Sequence, residues 1–348
     1  MGPTGKSLNA TTPERVSVVV ATYNGERFLA EQLASLSDQR RPPSEIVIVD
    51  DASTDGTVEM LRAFAASAPC HVDLVARTEH LGTAATFAEA IGRTTGDIVM
   101  ICDQDDRWRE DKVDLLAERL AAHPDALLAF SDSQLIDVSG APIGRSRWRV
   151  SGFSAQEQAA MSADSFGQMV FRQIVSGCTA AFRSELIGAL LPFPTEVHPS
   201  LPDMIYDRWT SLLAAAGGPI VVVPEQLVEY RIHPGQQIGI PALMIRRMAP
   251  KAVLQLSQFL VNRDEMDQRH EYLLNHLEVI QKRLTAGGLA SPASEQRIAL
   301  ADEHLRRRQA LGAERTDRIG PVVGEYRRRD GYRRFSLGLA TAVADTVR

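Results

Sequence analysis

A parallel sheet covered by helices on both faces is the fold class this chain predicts, and three observations predict it. Short apolar runs alternate four times with stretches of helical spacing between Val16 and Ala122, joined by short connections. Most of these runs are continuously apolar rather than alternating, as suits strands buried on both faces. Several end in polar clusters, where strands of an open α/β sheet meet their ligand crevice.

The elements follow in order. Val16-Ser17-Val18-Val19-Val20-Ala21 is the first strand, and Glu26 to Ser37 is a helix with apolar residues at Phe28, Leu29, Leu33 and Leu36. Pro42 and Pro43 break the chain before the second strand, Ile46 to Val49. Thr54 is placed to cap a helix running to about Ala66. His71 to Ala76 is the third strand, Thr83 to Arg93 a helix, Ile98 to Cys102 the fourth strand and Arg109 to Ala122 the helix after it. The order then becomes mixed. Leu127 to Ser131 and Gln134 to Val138 read as strands that turn at Ser139-Gly140. A helix over Pro202 to Ala216 precedes two late strands, Ile220 to Val223 and Leu227 to Ile232. From Pro241 strand signals vanish, and Leu254 to Leu284 and Ser294 to Leu311 carry helical spacing. The expected organisation is a disordered lead-in over 1–13, an α/β domain over 14–240 and a helical region over 241–348.

Bulk properties exclude some classes. The 348 residues are 44% hydrophobic and 24% charged, ordinary for a soluble globular protein. A net charge of −6 argues against nucleic acid as a partner. Cys70, Cys102 and Cys178 are odd in number, widely spaced and set among apolar residues, which predicts reduced thiols rather than a disulfide framework or a zinc site. No apolar stretch reaches the ~18–20 residues that span a bilayer, so a soluble, cytoplasmic protein is expected. Between Arg306 and Arg334 the chain is locally basic, with Tyr326, Tyr332, Phe335, Leu337 and Leu339 interleaved. This segment reads either as a solvated helix face paired with the acidic body or as one resting on anionic headgroups at the inner face of a membrane.

The chemistry concentrates at three strand ends. Asp103-Gln104-Asp105-Asp106 follows the fourth strand directly. Three carboxylates there repel one another and cost desolvation, so a positive group should sit among them. Oxygen ligands of this kind suit Mg²⁺ or Mn²⁺; the plainer alternative is an acidic turn in which Asp106 caps the next helix. The first strand ends in Thr22-Tyr23-Asn24-Gly25-Glu26 and the second in Asp50-Asp51-Ala52-Ser53-Thr54-Asp55-Gly56-Thr57. Carboxyl ends of parallel strands point one way, so these loops converge on one crevice. There Tyr23 could stack on a pyrimidine base while Asp50 or Asp51 accepts its N3–H, although the second run is also a good helix-capping turn.

Taken together, Val-Val-Val-Ala-Thr-Tyr-Asn-Gly-Glu-Arg-Phe-Leu from Val18, Val-Asp-Asp-Ala-Ser-Thr-Asp-Gly-Thr from Val49 and Cys-Asp-Gln-Asp-Asp-Arg-Trp from Cys102 resemble the family 2 glycosyltransferases of GT-A fold. The Asp-Gln-Asp-Asp form with Trp108 and Lys112 is most similar to the bacterial rhamnosyltransferase branch. Further matches lie at Ser176-Gly177-Cys178-Thr179, Tyr206-Asp207-Arg208-Trp209 and Tyr230-Arg231-Ile232-His233, so the resemblance runs from Val16 to Gly239. It implies that Asp103 and Asp105 bind the metal, Asp105 most directly, and that His233 reaches back to metal or diphosphate. It implies Asp207 as catalytic base at the start of a helix, whose N-terminus would favour the ionised form. Thr22, Tyr23, Asn24, Glu26, Asp50, Asp51, Ser53 and Asp103 are expected around the nucleotide. Gln104, Asp106, Trp108, Gly177, Cys178, Trp209 and Arg231 are expected around the donor or acceptor sugar. The chain departs from the family pattern at His80-Leu81-Gly82 with Thr86, where Asn-x-Gly and a later Asn are common, and at Gln236, where Asn is common.

The expected activity is inverting transfer from dTDP-L-rhamnose or a UDP-sugar to a hydroxyl of a glycan or lipid-linked acceptor, by a protein free to form homo-oligomers. Inversion follows from one base opposite the metal, since no second nucleophilic carboxylate with its own context is evident. Nucleotidyl transfer is the rival enzyme class, but it wants a glycine-rich phosphate cradle that Thr22 to Glu26 does not provide; a nicotinamide dehydrogenase fails on the same ground. A non-catalytic nucleotide-sugar-binding module is the other alternative.

Overall fold

Side chains that alternate across each buried strand divide the protein into two apolar layers. On β1 (Val16–Thr22), Val19 joins one core cluster while Val18 and Val20 join the other, and all three are fully buried. Burying each such side chain stabilises the fold by roughly 1.5–3 kcal/mol relative to exposure. The computed structural model describes residues 14–170, 173–194, 206–236, 263–311 and 315–328. The lead-in over 1–13, the start of the helix expected at Pro202, Gly239, the helical spacing from Leu254 and the basic end beyond Arg328 lie outside the described residues.

The first half of the chain forms as its pattern dictates. After β1 come α1 (Glu26–Ser37), β2 (Glu45–Asp50), α2 (Thr57–Ser67), β3 (His71–Ala76), α3 (Thr83–Gly92) and β4 (Ile98–Cys102). Strands β3, β2, β1 and β4 lie side by side and parallel, with Thr22 opposite Asp50 and Val20 opposite Cys102. That register brings the carboxyl ends of β1, β2 and β4 to one edge. One detail differs: α2 begins at Thr57, after Gly56 and beyond the expected cap Thr54, whose N–H donates to Asn24 Oδ1 at 2.8 Å.

The second half departs from the expected elements. A two-residue strand, β5 (Arg107–Trp108), precedes α4 (Lys112–Ala121), so the helix starts three residues later than its spacing suggested. The two strands expected between Leu127 and Val138 are one, β6 (Leu128–Ile136), and β7 (Pro142–Ser146) pairs back onto it. Short helices α5 (Arg147–Ser151), α6 (Ala155–Ala163) and α7 (Ser165–Met169) follow, then β8 (Ala180–Arg183) and α8 (Ile187–Leu190). Helix α9 (Tyr206–Gly217) leads into β9 (Ile220–Arg231), a single strand where two were expected. Pro224, which cannot donate to a ladder, is absorbed where the β6–β9 register shifts around Asp132. The sheet order among the described residues is β3-β2-β1-β4-β8-β6-β9-β5, with β8 antiparallel to both β4 and β6.

Helices at Arg263–Ala286, Pro292–Gln309 and Arg315–Arg327 complete the described chain. Leu273, Leu277, Ile280 and Leu284 of the first of these share the core cluster of Trp209, Leu212 and Leu213 on α9. Arg283 donates to the carbonyl of Leu191 at 2.8 Å and Arg297 to that of Ala216 at 3.1 Å, fixing these helices behind α9. In the described part of the basic segment, Arg306 pairs with Asp302, Arg307 with Glu303 and Glu325, and Arg328 with Glu325 and Glu303. None of the described helices is long and apolar enough to cross a membrane. The three cysteines are free thiols; Cys102 and Cys178 are buried and Cys70 is partly exposed.

Candidate active site

The carboxyl ends of β1, β2 and β4, the start of α9 and the end of β9 surround a cleft of about 370 Å³. Of the residues expected to act, Thr22, Tyr23, Asp51, Asp103, Gln104, Asp105, Gly177, Asp207 and His233 line it. Tyr206, Arg147, Gln173 and His80 line it as well; the sequence gave no signal for Arg147 and Gln173, and marked His80 only as a departure from the family pattern.

The loops after β1, β2 and β4 are braced by one another. Gln104 bridges to the Tyr23 backbone, accepting its N–H at 2.9 Å and donating to its carbonyl at 3.1 Å. A Cβ on Gly25 would run into the end of the Gln104 side chain, so glycine here leaves room for Gln104 to reach the Tyr23 backbone. Asn24, held at φ 46°, accepts from the Thr54 N–H, while Ser53 Oγ accepts from the Asn24 N–H at 2.8 Å. Glu26 accepts from the Gly56 N–H at 3.1 Å. Asp50 is fully buried, accepting from Thr22 Oγ1 at 2.8 Å and from the Ser53 N–H and hydroxyl. Asn24, Glu26, Asp50 and Ser53 therefore tie the loops together and lie outside the lining of the cleft.

Asp51 does reach the cleft, but its oxygens are already engaged. The Leu81 N–H, the Gly82 N–H and Arg77 Nη1 donate to it at 2.9, 2.7 and 3.0 Å, and His80 Nδ1 lies 2.9 Å away. Burial works against its charge, yet these donors and the His80 charge outweigh it and hold the carboxyl below its ordinary value. The His80-Leu81-Gly82 departure thus forms a cradle for Asp51. The imidazole also lies against Tyr23, ring centroids 4.2 Å apart, and leaves that tyrosine 43% exposed as an aromatic platform at the cleft mouth.

The acidic loop after β4 divides into two directions. Asp105 Oδ2 lies 2.8 Å from His233 Nε2, and the Gly235 N–H donates to Nδ1 of the same ring at 3.2 Å. Asp103 Oδ1 accepts from the Tyr206 hydroxyl at 3.1 Å. Burial, then the neighbouring Asp105 charge, pushes Asp103 up to about 7. Asp106 turns inward, accepts from the Arg231 N–H at 3.0 Å, and is driven well above the carboxylate range by burial and by Asp105 and Asp103. Ligand atoms of Asp103, Asp106 and Cys178 lie within 4.8 Å of one another. Asp103 and Asp105, carboxylates crowded at the cleft, form a hard oxygen donor set that a divalent cation would relieve, so they fit Mg²⁺ or Mn²⁺, whereas the Cys178 thiol, held protonated by burial, does not.

Five of the residues expected at the sugar do not line the cleft. Trp108 is 5% exposed, and its ring face is covered by Lys112 Nζ at 3.1 Å from the centroid. Trp209 is fully buried, donating from Nε1 to the Leu190 carbonyl at 3.2 Å. Cys178, Asp106 and Arg231 lie beneath the floor. Arg231 spends its guanidinium on the Asp105 carbonyl at 2.8 Å and Glu31 at 2.7 Å, and so holds the acidic loop from below. Lys112, buried and donating to the Cys178 carbonyl at 2.6 Å, is pushed down to about 7 by burial against the pull of surrounding thiols and carboxylates.

Asp207 shares the first turn of α9 with Tyr206. Gln173 Nε2 and the Arg208 N–H donate to its Oδ1 at 3.0 and 2.6 Å. Burial nevertheless raises its pKa, opposed by Arg147 and these donors, so the depressed value expected from the helix N-terminus is overridden. A Cβ on Gly177 would meet the Tyr206 ring at 2.7 Å, which explains glycine at that wall.

Residues 17–184 match the family model described as Glycosyl transferase family 2. An uncharacterized protein of Mycobacterium tuberculosis H37Rv is 26% identical over 226 residues, covering 63% of this chain and 59% of that protein. The dTDP-rhamnosyl transferase RfbG of Shigella flexneri is 33% identical over 98 residues, 27% of this chain and 34% of RfbG. Among solved structures, S. aureus TarS 1-349 in complex with UDP-GlcNAc overlays with a TM-score of 0.49 at 18% identity, covering 85% of this chain and 92% of that one. The mixed, helix-flanked sheet with helices at its C-terminal side is the GT-A architecture that the sequence predicts, and residues 17–184, a little under half of the chain, are similar to the family 2 glycosyltransferases.

Proposed function

We propose that this cleft transfers a sugar, with inversion, from a pyrimidine nucleoside-diphosphate sugar to a hydroxyl acceptor with the help of Mg²⁺ or Mn²⁺. The observation that carries the reading is the adjacency of Tyr206 and Asp207 at the start of α9. One side chain bonds the acidic loop and the next lines the same cleft, so a proton acceptor and a metal-binding carboxylate group face one volume. The nucleotide base belongs beside Tyr23 and His80. Asp103, Asp105 and His233 would hold the cation, which when bound stabilises the departing diphosphate. Asp207 takes the proton of the acceptor hydroxyl as its oxygen bonds to C1 of the sugar and the bond from C1 to the diphosphate oxygen breaks. Gln173 and the Arg208 N–H fix the direction of that carboxylate, and its burial makes it a better base. The likeness to RfbG makes dTDP-L-rhamnose the first donor to try, with a glycan or lipid-linked acceptor at the cytoplasmic face of a membrane.

Asp207→Asn keeps size and hydrogen bonding but accepts no proton. Single-turnover transfer should fall at least ~10²-fold, with the affinity for UDP or dTDP little changed. Near-normal turnover would remove Asp207 from the role of base. In parallel, UDP or dTDP with Mg²⁺ should raise the melting temperature by mass action. A stronger response to purine nucleotides would count against the base pocket.

A further inference from the structure

Arg147 has no counterpart in the reading above. It opens α5, in a stretch where the sequence offered no functional signal, and lines the cleft beside Asp207, Gln173 and Tyr230. Among the described residues it is the one lysine or arginine in that lining, and no ion pair engages it. Its guanidinium carbon stands 5.3 Å from the Tyr230 ring centroid, which gives the side chain a platform. Trp148, the next residue, is 4% exposed and packs against Phe130 and Phe153, so the backbone that presents Arg147 is anchored in the core.

The position of this charge is informative. The nucleotide-side carboxylate Asp51 is already matched by Arg77, and a donor diphosphate would be matched by the cation on the acidic loop. Arg147 instead comes from the β7–α5 connection, on the Asp207 side, and Asp207 is the group that must touch the incoming hydroxyl. A half-buried guanidinium with open donors recognises phosphate or carboxylate through paired hydrogen bonds.

We infer that Arg147 selects an acceptor carrying a phosphate or carboxylate close to its reacting hydroxyl. The inference rests on the proposed function and names its acceptor class. Its test uses the full chain with Mg²⁺ and saturating UDP, titrated calorimetrically with glycerol 3-phosphate and glucuronate as anionic probes and with glycerol and glucose as neutral ones. The anionic probes should bind the UDP-loaded wild type and the neutral ones at least tenfold more weakly. Arg147→Met should erase that preference, Arg147→Lys should restore part of it, and UDP affinity should stay the same in all three. A preference for phosphate over carboxylate, or the reverse, assigns the anion. Equal binding of the anionic probes to wild type and Arg147→Met overturns the inference. So does competition between the probes and UDP, which would make Arg147 a diphosphate ligand. So, too, does an effect of Arg147→Met confined to the pH profile of transfer, which would leave it only as a neighbour that keeps Asp207 charged. Failure of the wild type to bind UDP with Mg²⁺ would instead remove the proposed function, and the inference with it.

Discussion

The two halves of the sheet were built by different rules. From β1 to β4 single helices join successive strands and all four strands run parallel, with β1 and β4, some eighty residues apart, side by side at the centre. From β6 to β9 the strands pair out of order: β8 inserts between β4 and β6, and β6 runs parallel to β9 across some ninety residues of helix and loop. The first half carries the loops after β1, β2 and β4, braced by turns and loop-to-loop hydrogen bonds. The second half carries Arg147, Gln173 and Asp207, each held by contacts that only the assembled fold provides.

The sharpest way to break this comparison is at the acidic loop, where the halves meet. Asp105→Asn loses the pairing with His233 and a charge for the cation; transfer should be nearly abolished, and EDTA should do the same to the wild type. Wild-type rates in both cases would show that the loop needs no metal. The second half should then prove the more sensitive to its core. Phe130→Ala removes the ring on which Trp148 and Phe153 pack, at 5.4 and 6.1 Å, and should cost about 3–5 kcal/mol in denaturant unfolding. A loss below ~1 kcal/mol would show that the segment bearing Arg147 is not anchored there.

In the first half the corresponding test is electrostatic. Burial pushes Glu45 upward, but hydrogen bonds from Ser17 and Thr95, aided by the Arg15 charge, hold it below its ordinary value of 4.5. Its contribution is therefore present above that value and lost as pH falls through the lower folded-state pKa. Glu45→Gln should cost about 1.5–3 kcal/mol at pH 7, and the gap between variant and wild type should close in strongly acidic buffer. A gap independent of pH would mean that shape, not charge, holds β1 to β2. The smallest effect belongs to Thr54→Ala. A helix cap would be worth about 1 kcal/mol; since the Thr54 backbone, not its hydroxyl, makes the closer bond to Asn24, the expected loss is under ~0.5 kcal/mol by thermal unfolding.

What the sequence determined by itself is the first half of the sheet and the identity of its loops. Apolar runs such as Val18 to Val20 and Ile46 to Val49 specify strands locally, and their polar ends share an edge because parallel strands point one way. The motif residues at those ends were legible for the same reason. Their individual duties were not. Whether Asp50 faces a ligand or a neighbouring turn depends on a half-turn of backbone, and it was settled by Thr22 and Ser53. Trp108 and Trp209 looked like sugar platforms in sequence, yet a tryptophan is as useful to a core as to a site, and Lys112 and the Leu190 carbonyl claim them. The strands β5, β7 and β8 are two to five residues long, too short to carry a period. Tertiary structure alone also set the charge states. Asp207 at a helix start reads as a depressed acid until the walls of the cleft bury it, because desolvation depends on atoms from segments far apart in the chain. Arg147 became visible only for that reason: nothing in Ser146-Arg147-Trp148 marks a site, and the fold brings it to Asp207 across the sheet.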